Sequence, residues 1–188
     1  MKDGKLALFV MLGQTAERLI QKQPDTVAPE SLPLSKELDL AVSLPILVKR
    51  ARLASLVFKY FFVFEHFLRE FIRETLSESS PANWWESKVP KNIRDEVTES
   101  EQKEETKAWM ALVSREKLAL TTYPQLLSII ESCWKDGFEP IVRDKSLIQE
   151  ARLITHVRNA ACHMSDIPEE EVDRVRQVMR DWFRIVSP

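Results

Sequence analysis

The sequence predicts an all-α bundle of about five or six helices, and three observations carry that reading. Glycine occurs only three times in 188 residues. No segment alternates apolar and polar residues as a half-buried strand does. The ten prolines fall mostly at the edges of segments with helical periodicity, where they punctuate helices.

The elements follow in order. A first helix is expected over 5–21. Lys2 and Lys5 before the apolar run 6–12 read as its opening turns and not as a signal peptide, because Asp3 interrupts the basic stretch and no small-x-small cleavage site follows. Pro24, Pro29, Pro33 and Pro45 mark 23–45 as a linker with one short helical turn near 36–42. The longest helix is expected over 45–76, with Ser43 as its cap and Pro45 in its first turn. Leu53, Val57, Tyr60, Phe64, Phe67 and Phe71 recur every three or four positions there. Phe58, Phe61, Phe62, Leu68 and Ile72 widen the stripe, which marks a helix central to a bundle or to a dimer. The mixed-charge stretch 91–107 reads as a solvated helix or an arm.

Three later helices carry start signals. Thr122 with Gln125, and Ser146 with Gln149, have capping-box spacing. Ser165, Asp166 and Pro168 precede three glutamates at the start of another helix. The helices expected are 124–135, 147–163 and 168–186. The chain thus divides into residues 1–45, an N-terminal helix and proline-containing linker, and a helical domain over 46–188.

Composition narrows the function. Hydrophobic residues make up 44% and charged residues 30%, as in folded domains. The formal net charge of −2 excludes a whole-molecule positive field, so an anionic ligand needs a local patch. No apolar run approaches the roughly 20 residues of a membrane span. Two cysteines, Cys133 and Cys162, exclude a disulfide scaffold and fit a reducing, cytoplasmic setting. No paired zinc-type cysteines and no phosphate-binding glycine motif occur, so no metal and no cofactor is expected.

Chemistry concentrates on the helix expected over 147–163. At about 100° per residue, Leu153, Ile154, Val157, Ala160, Ala161 and Met164 share a core arc. Arg152, His156, Asn159 and His163 form a polar stripe opposite it, with Arg158 on the flank. Histidine suits proton transfer near neutral pH. The arginine fork matches phosphate oxygens, and asparagine can orient an imidazole or a ribose hydroxyl. Together they suit cleavage of RNA by its own 2′-OH, with a base, an attacking oxygen and a cation at the phosphate. The plain alternative is an exposed polar face meeting water.

Other residues carry weaker signals. Arg152 and His156 are candidates to hold flanking phosphates. Lys49, Arg50 and Arg52 form the best basic cluster and are further candidates for RNA attraction. Trp84 and Trp85 either stack on bases or pack a loop. Glu65, set among phenylalanines, must be paired; it either bonds Arg69 one turn on or orients Arg158.

Arg158-Asn159-Ala160-Ala161-Cys162-His163 reads R-N-x-x-x-H, which resembles the signature of the HEPN superfamily. The block 64–72, with Asn83-Trp84-Trp85 and 89–93, is similar to the HEPN branch attached to a nuclear RNA-surveillance endoribonuclease and found in bacterial defence and toxin proteins. The resemblance covers about 46–186. It implies an up-and-down helical bundle that pairs as a homodimer through the motif face and cleaves RNA without a metal. It also implies Arg158, Asn159 and His163 as the catalytic set, Glu65 in support, and an inhibitory or regulatory protein partner. The rivals are a non-catalytic module that binds RNA, a nucleotide or a protein, and a pure interaction bundle. A locked Arg158–Glu65 ion pair in a closed groove would favour the first rival.

Overall fold

The computed structural model describes residues 45–79, 82–106 and 116–186. The expected helix over 5–21, the linker and the Ser43 cap lie outside the described residues. The chain divides into two compact units, residues 1–52 and 53–188. Among the described residues there are eight α-helical segments, two 3-10 turns and no strand.

Helix α1, Pro45–Ser79, is the spine. From Leu53 onward its inner face buries Val57, Phe61, Phe64, Leu68, Ile72 and Leu76. Each such side chain contributes about 1.5–3 kcal/mol when fully buried. The rings lock edge to face onto the other helices, as in Phe64 on Trp182 and Phe61 on Tyr123. The stripe is narrower than the sequence suggests, because Phe58 and Phe62 remain 60% and 57% exposed.

Short helix α2, Trp84–Lys88, and helix α3, Lys91–Glu105, follow. Trp85 is buried and Trp84 packs against the core, so the pair pins its loop to the bundle. Helix α3 is anchored by buried Ile93 and Val97 on one face, with Arg94 bonding the Val89 carbonyl and the Glu86 carboxylate. It is therefore a packed helix and not a free arm, since two apolar residues one turn apart suffice to seat a single face.

A 3-10 turn, Lys117–Leu120, leads into helix α4, Tyr123–Ser132. The Thr122–Gln125 capping box forms, with the Thr122 N–H donating to Gln125 Oε1 at 2.7 Å. Helix α4 ends three residues before the expected boundary and gives way to a tight turn, Trp134–Asp136. Gly137 follows with φ +136°, and a Cβ there would lie 2.7 Å from Thr75 Cγ2. Only glycine fits so close an approach to α1. Single-turn helix α5, Glu139–Val142, then precedes α6, Ser146–Leu153. The expected Ser146–Gln149 box is not used. The Ser146 N–H instead donates to the Asp144 carboxylate at 2.8 Å, which holds that carboxyl below its ordinary value.

The single helix expected over 147–163 is two helices. Helix α6 stops at Leu153, Ile154 takes φ −82° and ψ 0°, and α7 runs Thr155–Cys162. Two adjacent β-branched residues, Ile154 and Thr155, weaken the helix at this point. Ile154, Val157 and Ala161 stay in the core, but Leu153 is 65% exposed and Met164 87% exposed, contrary to the expected arc. Helix α8, Glu169–Val186, closes the bundle by packing on α5 and α6 and burying Val172, Val175, Met179 and Trp182. No described helix is long and apolar enough to cross a membrane.

Candidate functional site

Glu65 joins three parts of the bundle. Its Oε2 accepts a hydrogen bond from Arg69 Nη2 at 2.9 Å, one turn on along α1. Its Oε1 accepts from Arg158 Nε on α7 at 3.3 Å. Arg69 continues the chain, donating through Nε to the Leu118 carbonyl at 3.0 Å and through Nη2 to the Thr121 carbonyl at 3.3 Å. Glu65 thus bonds both guanidiniums named beside it in the sequence, Arg69 and Arg158. The side chains are largely withdrawn from water, so the carboxylate is held by charge-assisted bonds on both oxygens. Tyr123 lies close behind. Its hydroxyl donates to the Ala151 carbonyl at 2.8 Å, and its phenol is held above the ordinary range, first by burial and then by the Glu65 charge.

This network walls one side of a cavity of about 140 Å³. Arg158, Glu65 and Arg69 supply its polar wall, and Phe58, Phe62 and His66 its aromatic wall. Phe61 of α1 with Ala161 and Cys162 of α7 complete it. The His66 Nδ1–H donates to the Phe62 carbonyl at 2.8 Å, and the His66 ring lies on the Phe62 ring with centroids 4.3 Å apart.

His163 caps α7. The Met164 N–H bonds the Ala161 carbonyl at 3.3 Å and the Ser165 N–H bonds the Ala160 carbonyl at 2.9 Å. That pair of bonds is a Schellman ending, with Met164 in the left-handed conformation at φ 56° where glycine is usual. The helix therefore stops one residue after Cys162, leaving His163 and Asn159 exposed. His163 is not part of the cavity that holds Arg158.

Arg152 and His156, the rest of the polar stripe, engage neighbouring helices. Arg152 turns to α4, bonding Glu131 Oε2 at 2.5 Å and Ser128 Oγ at 3.4 Å. His156 turns to α8, with Nε2 3.4 Å from Glu171 Oε2 while Nδ1–H donates to the Leu153 carbonyl at 2.6 Å. Arg152 and His156 are thus tied to carboxylates of two different helices, while Asn159 and His163 remain exposed. Lys49, Arg50 and Arg52 sit on the first turns of α1 and belong to the unit that ends at Arg52; the other candidates belong to residues 53–188. Among the described residues, no group of three or more His, Cys, Asp or Glu side chains could hold a metal ion.

The sequence missed two features of this site. The Arg69 tether to the 118–121 carbonyls spans about fifty positions, and no local pattern signals it. The cavity wall of Phe58 and Phe62 reads in sequence as ordinary core. Its one signal is that eleven apolar residues on one helix exceed what a single face buries.

Residues 59–187 match the protein family described as Swt1-like HEPN. Neither the curated proteins nor the solved structures give a match.

Proposed function

The chain belongs to the Swt1-like HEPN family, and from that membership and the Arg158 site we propose that it is a metal-independent endoribonuclease working as a homodimer. The observation that carries this reading is Arg158 held by Glu65 on the wall of an open cavity, with Asn159 and His163 exposed farther along the same helix. In this mechanism His163 takes the proton of a ribose 2′-OH, and the oxygen attacks the adjacent phosphorus. Arg158 offsets the charge that builds on the non-bridging oxygens, and Asn159 orients the imidazole. The bond to the 5′-oxygen breaks as that oxygen gains a proton from water, and the His163 imidazolium returns its proton to solvent. The products are a 2′,3′-cyclic phosphate and a free 5′-hydroxyl.

Two helical residues five apart point about 140° from one another. One copy therefore does not aim Arg158 and His163 at one phosphate. A site built from Arg158 of one copy and His163 of a second resolves this, which is why the reading includes a homodimer. An inhibitory partner and a toxin or defence role in the cytoplasm belong to the same reading.

A second reading has an observation of its own. Arg158 is engaged by Glu65, as expected of a module that binds RNA, a nucleotide or a protein without cutting. The cavity beside the pair is partly open, so it admits a ligand under either reading. End analysis after incubation with RNA in excess EDTA separates the two. The nuclease leaves 2′,3′-cyclic phosphate ends on RNA and spares DNA, which lacks the 2′-OH. Intact RNA that stays bound supports the module.

A further inference from the structure

Eight phenylalanines fall among the described residues, and six of them are buried or packed on the core. The two exposed ones, Phe58 and Phe62, are both on the cavity that holds Arg158. With His66 they are spaced four residues apart, so they share one face of α1. His66 already covers one side of the Phe62 ring. Phe58 lies one turn earlier, about 6 Å along the helix axis.

We propose that Phe58 and Phe62 form a base-stacking subsite that selects unpaired RNA for the Arg158 site. Three properties favour a nucleobase over a protein side chain as the occupant. The cavity volume of about 140 Å³ is close to the roughly 150 Å³ that admits a single six-membered aromatic ring. The phenylalanines share their face of α1 with Glu65 and Arg69, and Arg158 of α7 lines the same cavity, so two guanidiniums and one carboxylate leave a net positive charge for the phosphate attached to the base. Stacking on exposed rings beside arginine is how single strands are held without reading their sequence, since every base has a π-face. A base paired in a duplex cannot enter, because both its faces are already stacked. The subsite thus supplies a substrate class, unpaired RNA, to the nuclease reading on which it rests.

The test is equilibrium binding of the full chain to a fluorescent single-stranded 2′-O-methyl RNA, which cannot be cut. The competitor is the same sequence as a duplex, and a light-scattering mass is taken on every sample. Phe62→Leu keeps the apolar bulk and removes the ring, and Phe62→Trp restores a ring. The expected result is about tenfold weaker binding by Phe62→Leu, binding by Phe62→Trp near wild type, and at least tenfold preference for the single strand. Equal binding by Phe62→Leu, or equal binding of the duplex, overturns the subsite. A halved mass in Phe62→Leu also overturns it and assigns the ring to contact between copies. Cleavage of unmodified RNA in parallel separates the two ideas. Cutting with ring-independent binding sinks the subsite alone, ring-dependent binding without cutting sinks the nuclease alone, and neither binding nor cutting sinks both.

Discussion

Arg158 and Glu65 are 93 positions apart in the chain and meet through one hydrogen bond of 3.3 Å, from the guanidinium Nε to the carboxylate Oε1. The other carboxylate oxygen is held by Arg69, which is itself fixed to the carbonyls of Leu118 and Thr121. The position of the arginine at the candidate site is therefore set by a relay through α1 to the turn before α4. Glu65→Gln removes the charge that both guanidiniums share. Stability is expected to fall by about 1–3 kcal/mol, read by urea denaturation. The kcat for RNA cleavage should fall at least tenfold with little change in KM. A stability loss with kcat intact would make Glu65 structural only.

The end of α7 places His163, and its weak point is the left-handed residue after it. Met164 at φ 56° carries a steric penalty that glycine does not. Met164→Gly should raise stability by about 0.5–1 kcal/mol, the steric gain less the extra freedom of glycine in the unfolded chain. RNA cleavage should be retained, because Met164 is almost wholly exposed. A lower urea midpoint would contradict the Schellman ending.

Gly137 makes the opposite case. Its φ of +136° and the 2.7 Å approach of Thr75 Cγ2 leave no room for a methyl group. Gly137→Ala is expected to lower stability by about 1–3 kcal/mol. A melting temperature equal to wild type would show that α1 and the 134–137 turn are not so close.

The two cysteines should differ in reactivity. Cys133 is buried and donates to the Lys88 carbonyl at 3.2 Å, while Cys162 is exposed. Burial pushes the Cys133 thiol up to about 11, with the Asp136 carboxylate adding to the shift and Lys88 opposing it. At pH 8 a thiol reagent should label Cys162 in the folded chain, and Cys133 only after unfolding. The sign for stability follows. Between about 9 and about 11 the unfolded chain releases this proton and the folded chain keeps it, so stability falls as pH rises through that window. Cys133→Ala should flatten that loss, measured as the urea midpoint against pH.

Much of the fold was legible in the sequence because helical periodicity, proline placement and caps agree. The 45–79 helix, the Thr122 cap and the C-terminal helix follow from those local signals. The break at Ile154 was not legible, since no proline or glycine announces it. Two β-branched residues in a row are tolerated in many helices. Leu153 at the flank of the expected arc and Met164 beyond the helix end are exposed, and Arg152 and His156 engage α4 and α8. The Arg152–Glu131 and His156–Glu171 contacts depend on how helices pack, which periodicity does not encode. The R-N-x-x-x-H block and Glu65 were legible as candidates, but the link between Glu65 and Arg158 needed the packed bundle.

The central claim is a ribonuclease site shared between two copies. The most direct measurement is RNA cleavage in excess EDTA by Arg158→Ala, by His163→Ala and by the two variants coexpressed with different tags and purified as a mixed dimer. The account predicts that each variant alone is inactive at unchanged dimer mass. The mixed dimer should recover up to about half the wild-type rate, because one of its two sites then draws Arg158 and His163 intact from different copies. A mixed dimer as inactive as its parents, or cleavage that survives both single substitutions, would contradict it.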